Sequence, residues 1–140
     1  MKNFFACFFA VALLLTCCGN AFAADADPLS SSVLTQYVAS LSPGNRGQIK
    51  ITYNVRSSAT ATSIGVSTIK IYNANGNYLA TIKGTTSNGL MTTNAKQKSG
   101  TYTYTGAASG VSYYAVVTCT ATVSGVTDTK SVTTNTVKAP

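Results

Sequence analysis

The sequence contains no His, no Trp and no Glu, and its only acids are Asp25, Asp27 and Asp128. These absences exclude most chemistry. A Ser or Cys nucleophile needs a neighbouring base, usually His. Glycoside hydrolysis in its common form needs a pair of carboxylates. Zinc sites draw on Cys, His and carboxylates, and calcium sites on several anionic oxygens. One isolated Asp in the body of the chain supplies none of these sets, and no Gly-rich phosphate loop opens a helix. The expectation is a protein that is not an enzyme and uses no cofactor.

Long apolar runs are also scarce. The one present, Phe4 to Leu15, follows Lys2 and precedes Ala21-Phe22-Ala23. This is the charged, apolar and small-residue order of an export signal. The run is shorter than the roughly 20 residues that span a bilayer. Residues 1–23 are therefore expected to be a signal peptide cleaved between Ala23 and Ala24, leaving no transmembrane segment and a protein secreted to the extracellular side. A second reading takes Leu14-Leu15-Thr16-Cys17 as a lipoprotein box, with a lipid on Cys17. Residues 24–32, small and acidic with Pro28 and a Ser run, read as a flexible leader. Residues 33–140 then form one domain.

Cleavage removes all five Phe and three of the four Cys, leaving Cys119 and eight Tyr. With one Cys the exported chain has no internal disulfide, although its compartment would permit one. Cys119 reads as a small buried hydrophobe or as a thiol for intermolecular pairing. The net charge is +7 for the whole chain. Its basic residues are scattered, with only Lys96 and Lys98 close together. A scatter supports solubility and attraction to anionic glycans or wall polymers. It lacks the dense stripe that nucleic-acid binding requires.

The patterning is that of strands throughout. Val33 to Leu41 is a first extended segment, closed by Ser42-Pro43-Gly44-Asn45. Ile49, Ile51, Tyr53 and Val55 alternate with polar residues. Ser57 to Ser63 reads as a loop. Ile64 and Val66 then fall on even positions, but Ile69 and Ile71 on odd ones. That change of phase demands either a bulge near Ser67-Thr68 or burial of both faces. Asn73-Ala74-Asn75-Gly76-Asn77 signals a hairpin returning into Tyr78–Lys83. Asn88-Gly89 is a turn before the apolar pair Leu90-Met91, and Asn94 to Gly100 reads as a polar loop. Thr101 to Thr105 alternates Thr with Tyr. The strongest strand, Val111 to Val123, lines one face with Val111, Tyr113, Ala115, Val117, Cys119, Ala121 and Val123. After Ser124-Gly125, Thr129 to Val137 closes the chain. About seven strands at this spacing predict an all-β, antiparallel sandwich, with a closed barrel as the alternative.

Gly110-Val111-Ser112-Tyr113-Tyr114-Ala115-Val116-Val117, then Gly125 and a closing strand from Ser131, resembles the last two strands of fibronectin type III and related immunoglobulin-like modules. The resemblance implies an immunoglobulin-like sandwich in which Tyr113 opens the penultimate strand and packs at the sheet corner. Through Ser63–Tyr72, Tyr113–Thr118 and Thr134–Val137 the chain also resembles small secreted proteins of Gram-positive gut bacteria. That likeness implies a secreted β protein and no particular activity.

The tyrosines carry the best functional signal. Tyr102 and Tyr104 share one face of their strand, and Tyr113 and Tyr114 point to opposite faces. Exposed Tyr beside Thr, Asn and Lys offers a flat apolar body with a polar tip. Tyr102, Tyr104 and Tyr114, with Lys96 and Lys98, are the candidate contact residues, although the same tyrosines also suit core or cross-strand packing. Two functions follow. One is a secreted binding module for a glycan, wall polymer or protein surface. The other is a self-associating structural protein whose sheet edges pair between copies.

Overall fold

The computed structural model describes residues 33–140. The expected signal peptide, its Ala23–Ala24 cleavage point, Cys17 and the leader 24–32 lie outside the described residues. Within them the chain forms β1 (Leu34–Pro43), β2 (Ile49–Ala61), β3 (Ser63–Asn73), β4 (Tyr78–Lys83), β5 (Met91–Thr92), β6 (Ala95–Tyr104), β7 (Ser112–Val123), β8 (Val126–Thr133) and β9 (Val137–Lys138). All pairings are antiparallel. One sheet has the order β1-β2-β6. The other has β4-β3-β7-β8, with β5 on the β4 side of β3 and β9 beside the start of β7. No helix among the described residues is long and apolar enough to cross a membrane.

The two sheets meet over one core, built by the period-two alternation of β2, β3 and β7. Ile49, Ile51, Val55, Ile64, Val66, Ile69, Ile71, Val117 and Cys119 are all fully buried. Each Ile in that set contributes about 2 kcal/mol by leaving water. Tyr53 fills the remaining width, and its hydroxyl donates to Gly89 O at 2.9 Å. Among the described residues no buried side-chain oxygen or nitrogen lacks a partner.

The phase change in β3 is a bulge. The β3–β7 register slips between Val66 and Thr68, so Ile64, Val66, Ile69 and Ile71 all reach the core. Just before it, Gly65 takes φ +147° while paired to Met91 on β5. A β-carbon there would run into the Leu90 carbonyl, so only glycine permits this close approach. The β7–β8 hairpin turns on Ser124 and Gly125, at φ 49° and 80°. Positive φ at both central residues is the turn whose twist matches the strands.

Three expectations change. Ser57 to Ser63 is not a loop, because β2 runs to Ala61 and β3 starts at Ser63. Its small polar residues remain in the sheet because the register shifts between Arg56 and Ala61 and Ser57 is buried, with Oγ 2.6 Å from Ala59 O and 3.1 Å from Lys96 O. Asn94 to Gly100 is not a loop either. From Ala95 it is the first half of β6, paired residue by residue with β2, and its polarity reflects an edge position. The last segment divides into β8 and β9. Thr134 leaves the ladder between them, its N–H donating to Ala115 O and its hydroxyl accepting from Ala115 N.

Candidate functional site

The outer face of the β4-β3-β7-β8 sheet gathers three tyrosines. The bulge sends Ile69 and Ile71 inward, so Lys70 and Tyr72 must face out. Strict alternation in β7 buries Tyr113 and turns Tyr114 outward. The hairpin between β3 and β4 returns Tyr78 beside Tyr72, its turn held by Asn73 Oδ1, which accepts from the N–H groups of Asn75 and Asn77. Tyr72 is therefore flanked by Tyr114 on β7 and Tyr78 on β4. The Tyr72 and Tyr114 rings stack at 5.2 Å with 9° between planes, and Tyr78 meets Tyr72 edge-on at 5.9 Å. Tyr78 remains 57% exposed. Its hydroxyl donates to Thr81 Oγ1 at 2.9 Å. The exposed Lys70 lies in the next row, between Thr81 and Val116. The result is a flat aromatic shelf with one cation and hydroxyls at its border.

Of the five residues expected from sequence, only Tyr114 belongs to this shelf. Tyr102 and Tyr104 are half-buried and pack against the core from β6. Lys98 is half-buried on the same inward-facing series, opposite Val55. Lys96 is exposed and lines a shallow groove of about 320 Å³ with Thr35, Arg56, Ser57 and Gln97. The five thus divide between the two sheets and do not form one surface. The missed partners, Tyr72 and Tyr78, carry a readable signal. They bracket the Asn-Gly hairpin, and once Ile71 is taken as core, Tyr72 must point away from it.

The polar groups in the domain are otherwise committed. Asp128, its only acid, accepts from the Leu34 N–H at 3.2 Å and lies 3.9 Å from Lys130 Nζ. Asn135 accepts from Leu41 N and donates to Leu41 O, both at 2.9 Å. These two side chains tie β1 to the other sheet at either end. Cys119 is fully buried, and burial pushes its thiol up to about 11. A thiol so far from ionisation is a packing group at neutral pH. Burial likewise raises the Tyr53 phenol. The Tyr113 hydroxyl accepts from Ala108 N at 2.8 Å, pinning the loop before β7 to the start of that strand. Comparison with protein-family models, with curated proteins and with solved structures finds no match to this chain.

Proposed function

We propose that this chain is a secreted, non-enzymatic binding module that takes a glycan or wall polymer onto the Tyr72–Tyr78–Tyr114 shelf. The observation that carries the reading is the stacked Tyr72–Tyr114 pair with the exposed Tyr78 at its edge. A stacked pair forms a broad, rigid apolar platform whose ordering cost is already met within the fold. The C–H face of a sugar ring suits such a surface. The hydroxyls of Thr81 and the tyrosines suit its rim, and Lys70 suits an acidic substituent. The domain itself is read as immunoglobulin-like, of the fibronectin type III kind. The order β1-β2-β6 against β4-β3-β7-β8 supports this, as does the Tyr113 hydroxyl bonded to the backbone upstream of its strand. The likeness to small secreted proteins of Gram-positive gut bacteria accords with the same setting.

A glycan array probed with the purified chain tests the reading. Binding to a defined glycan class, lost in Tyr78→Ala with the fold intact, is the expected result. If the glycan is acidic, binding also weakens as salt rises. Equal binding by wild type and Tyr78→Ala would remove the shelf from the account.

A further inference from the structure

We propose that the free edge of β6 is a self-complementary interface through which two copies of this chain pair about a twofold axis. The Leu41 backbone bonds to the Asn135 side chain and so faces away from β2. Leu41 is opposite Ile51, so the Ile51 backbone faces β6, where its partner is Tyr102. Alternation then directs the backbones of Tyr104, Gly100 and Lys98 toward β2, and those of Gln97, Ser99, Thr101 and Thr103 toward the open edge. No strand pairs on that side. Among the described residues these four N–H and C=O pairs find no partner. Their side chains are all exposed, and on the outer face Thr52 and Thr101 share a hydroxyl contact while Gln97 bridges Arg56 and Asn54.

The sequence of this edge nearly mirrors itself about Gly100. Antiparallel pairing centred there joins Ser99 to Thr101 and Gln97 to Thr103 of the second copy, using all four open positions twice over. On the inward series it sets Lys98 opposite Tyr102, Lys96 opposite Tyr104, and Gly100 opposite Gly100. Each cation meets an aromatic ring rather than another cation. Shifting the register by one pairing step either way loses a hydrogen-bonded pair and breaks the Lys–Tyr matching. An inward-facing Lys on an edge ordinarily blocks strand addition. The twofold register is the one that gives Lys98 a partner and still excludes strands of other sequence. A continuous sheet across both copies would leave the Tyr72–Tyr78–Tyr114 shelf free on each, since it lies on the other sheet.

Sedimentation velocity and light scattering on the purified chain, over a rising concentration series, test this. A monomer–dimer equilibrium is expected, strengthened by salt because both copies are basic. Ser99→Pro and Thr101→Pro each remove an outward N–H and leave β2–β6 pairing intact. Each should weaken association about tenfold or more while circular dichroism and the thermal midpoint stay near wild type. Lys98→Glu should weaken it by a smaller factor. Should a proline variant fail to fold, wild-type amide exchange gives the answer. The N–H groups of Gln97, Ser99, Thr101 and Thr103 should gain protection at high concentration. A monomer at every concentration, a dimer indifferent to both prolines, or edge amides whose protection ignores concentration would overturn the interface.

Discussion

The outer faces of the two sheets are built by the same alternation and carry different chemistry. On the β1-β2-β6 face, the outward residues of β2 and β6 are Lys50, Thr52, Asn54, Arg56, Gln97, Ser99, Thr101 and Thr103, polar side chains tied to one another by hydrogen bonds. The β4-β3-β7-β8 face has a similar polar half, where Thr118 meets Ser131, Thr120 meets Thr129 and Thr122 meets Thr127. Its other half is aromatic. Both faces satisfy their polar groups internally, so a polar sheet surface costs the fold little. Only the aromatic half leaves large apolar area in water, which folding alone does not call for. The difference places recognition on one half of one sheet.

The most severe way to break that contrast is to delete Ser67. Removing the bulge would restore one unbroken alternation through β3, turning Ile69 and Ile71 to solvent and Tyr72 to the core. We expect loss of cooperative thermal unfolding by circular dichroism. Next in size is an alkaline transition seated in the shared core. Cys119 rises from its ordinary 9.0 to about 11 in the fold. Unfolded chains release that proton near pH 9 and folded ones hold it to about pH 11, so stability is complete below pH 9 and falls across that window. The loss is roughly 3 kcal/mol, readable from urea midpoints, and Tyr53 adds to it in the same direction. Cys119→Ala should flatten the Cys119 part of the profile. Smaller still, Tyr72→Ala should cost about 1 kcal/mol from its stacked pair, whereas Thr52→Ala on the opposite face should stay within about 0.5 kcal/mol. Equal costs for the two would erase the distinction between the faces.

Strand identity was legible wherever β-branched residues alternated. The spacing of Ile64, Val66, Ile69 and Ile71 required a bulge or two buried faces, and the register decides for the bulge. The Asn73–Asn77 hairpin and the extent of β4 were also visible. Illegible were the stretches where a strand is paired but polar. Ser57–Thr60 and Lys96–Gly100 carry little apolar content because one bends at a register shift and the other lies at a sheet edge. Polarity reads the same in a loop and in an edge strand until the partner is known. The contact residues failed for a related reason. Tyr102 and Tyr104 alternate with Thr just as outward tyrosines would, and only the pairing of β6 with β2 turns them toward the core. Tyr114 was accessible from its neighbour, because burying Tyr113 forces it out.

The most direct measurement is a backbone amide chemical-shift map of the chain with a bound oligosaccharide. Shifts concentrated at Lys70, Tyr72, Tyr78, Thr81 and Tyr114 are the expected result. Shifts centred on Lys50, Thr52, Asn54 and Thr101, across the sandwich, would contradict it.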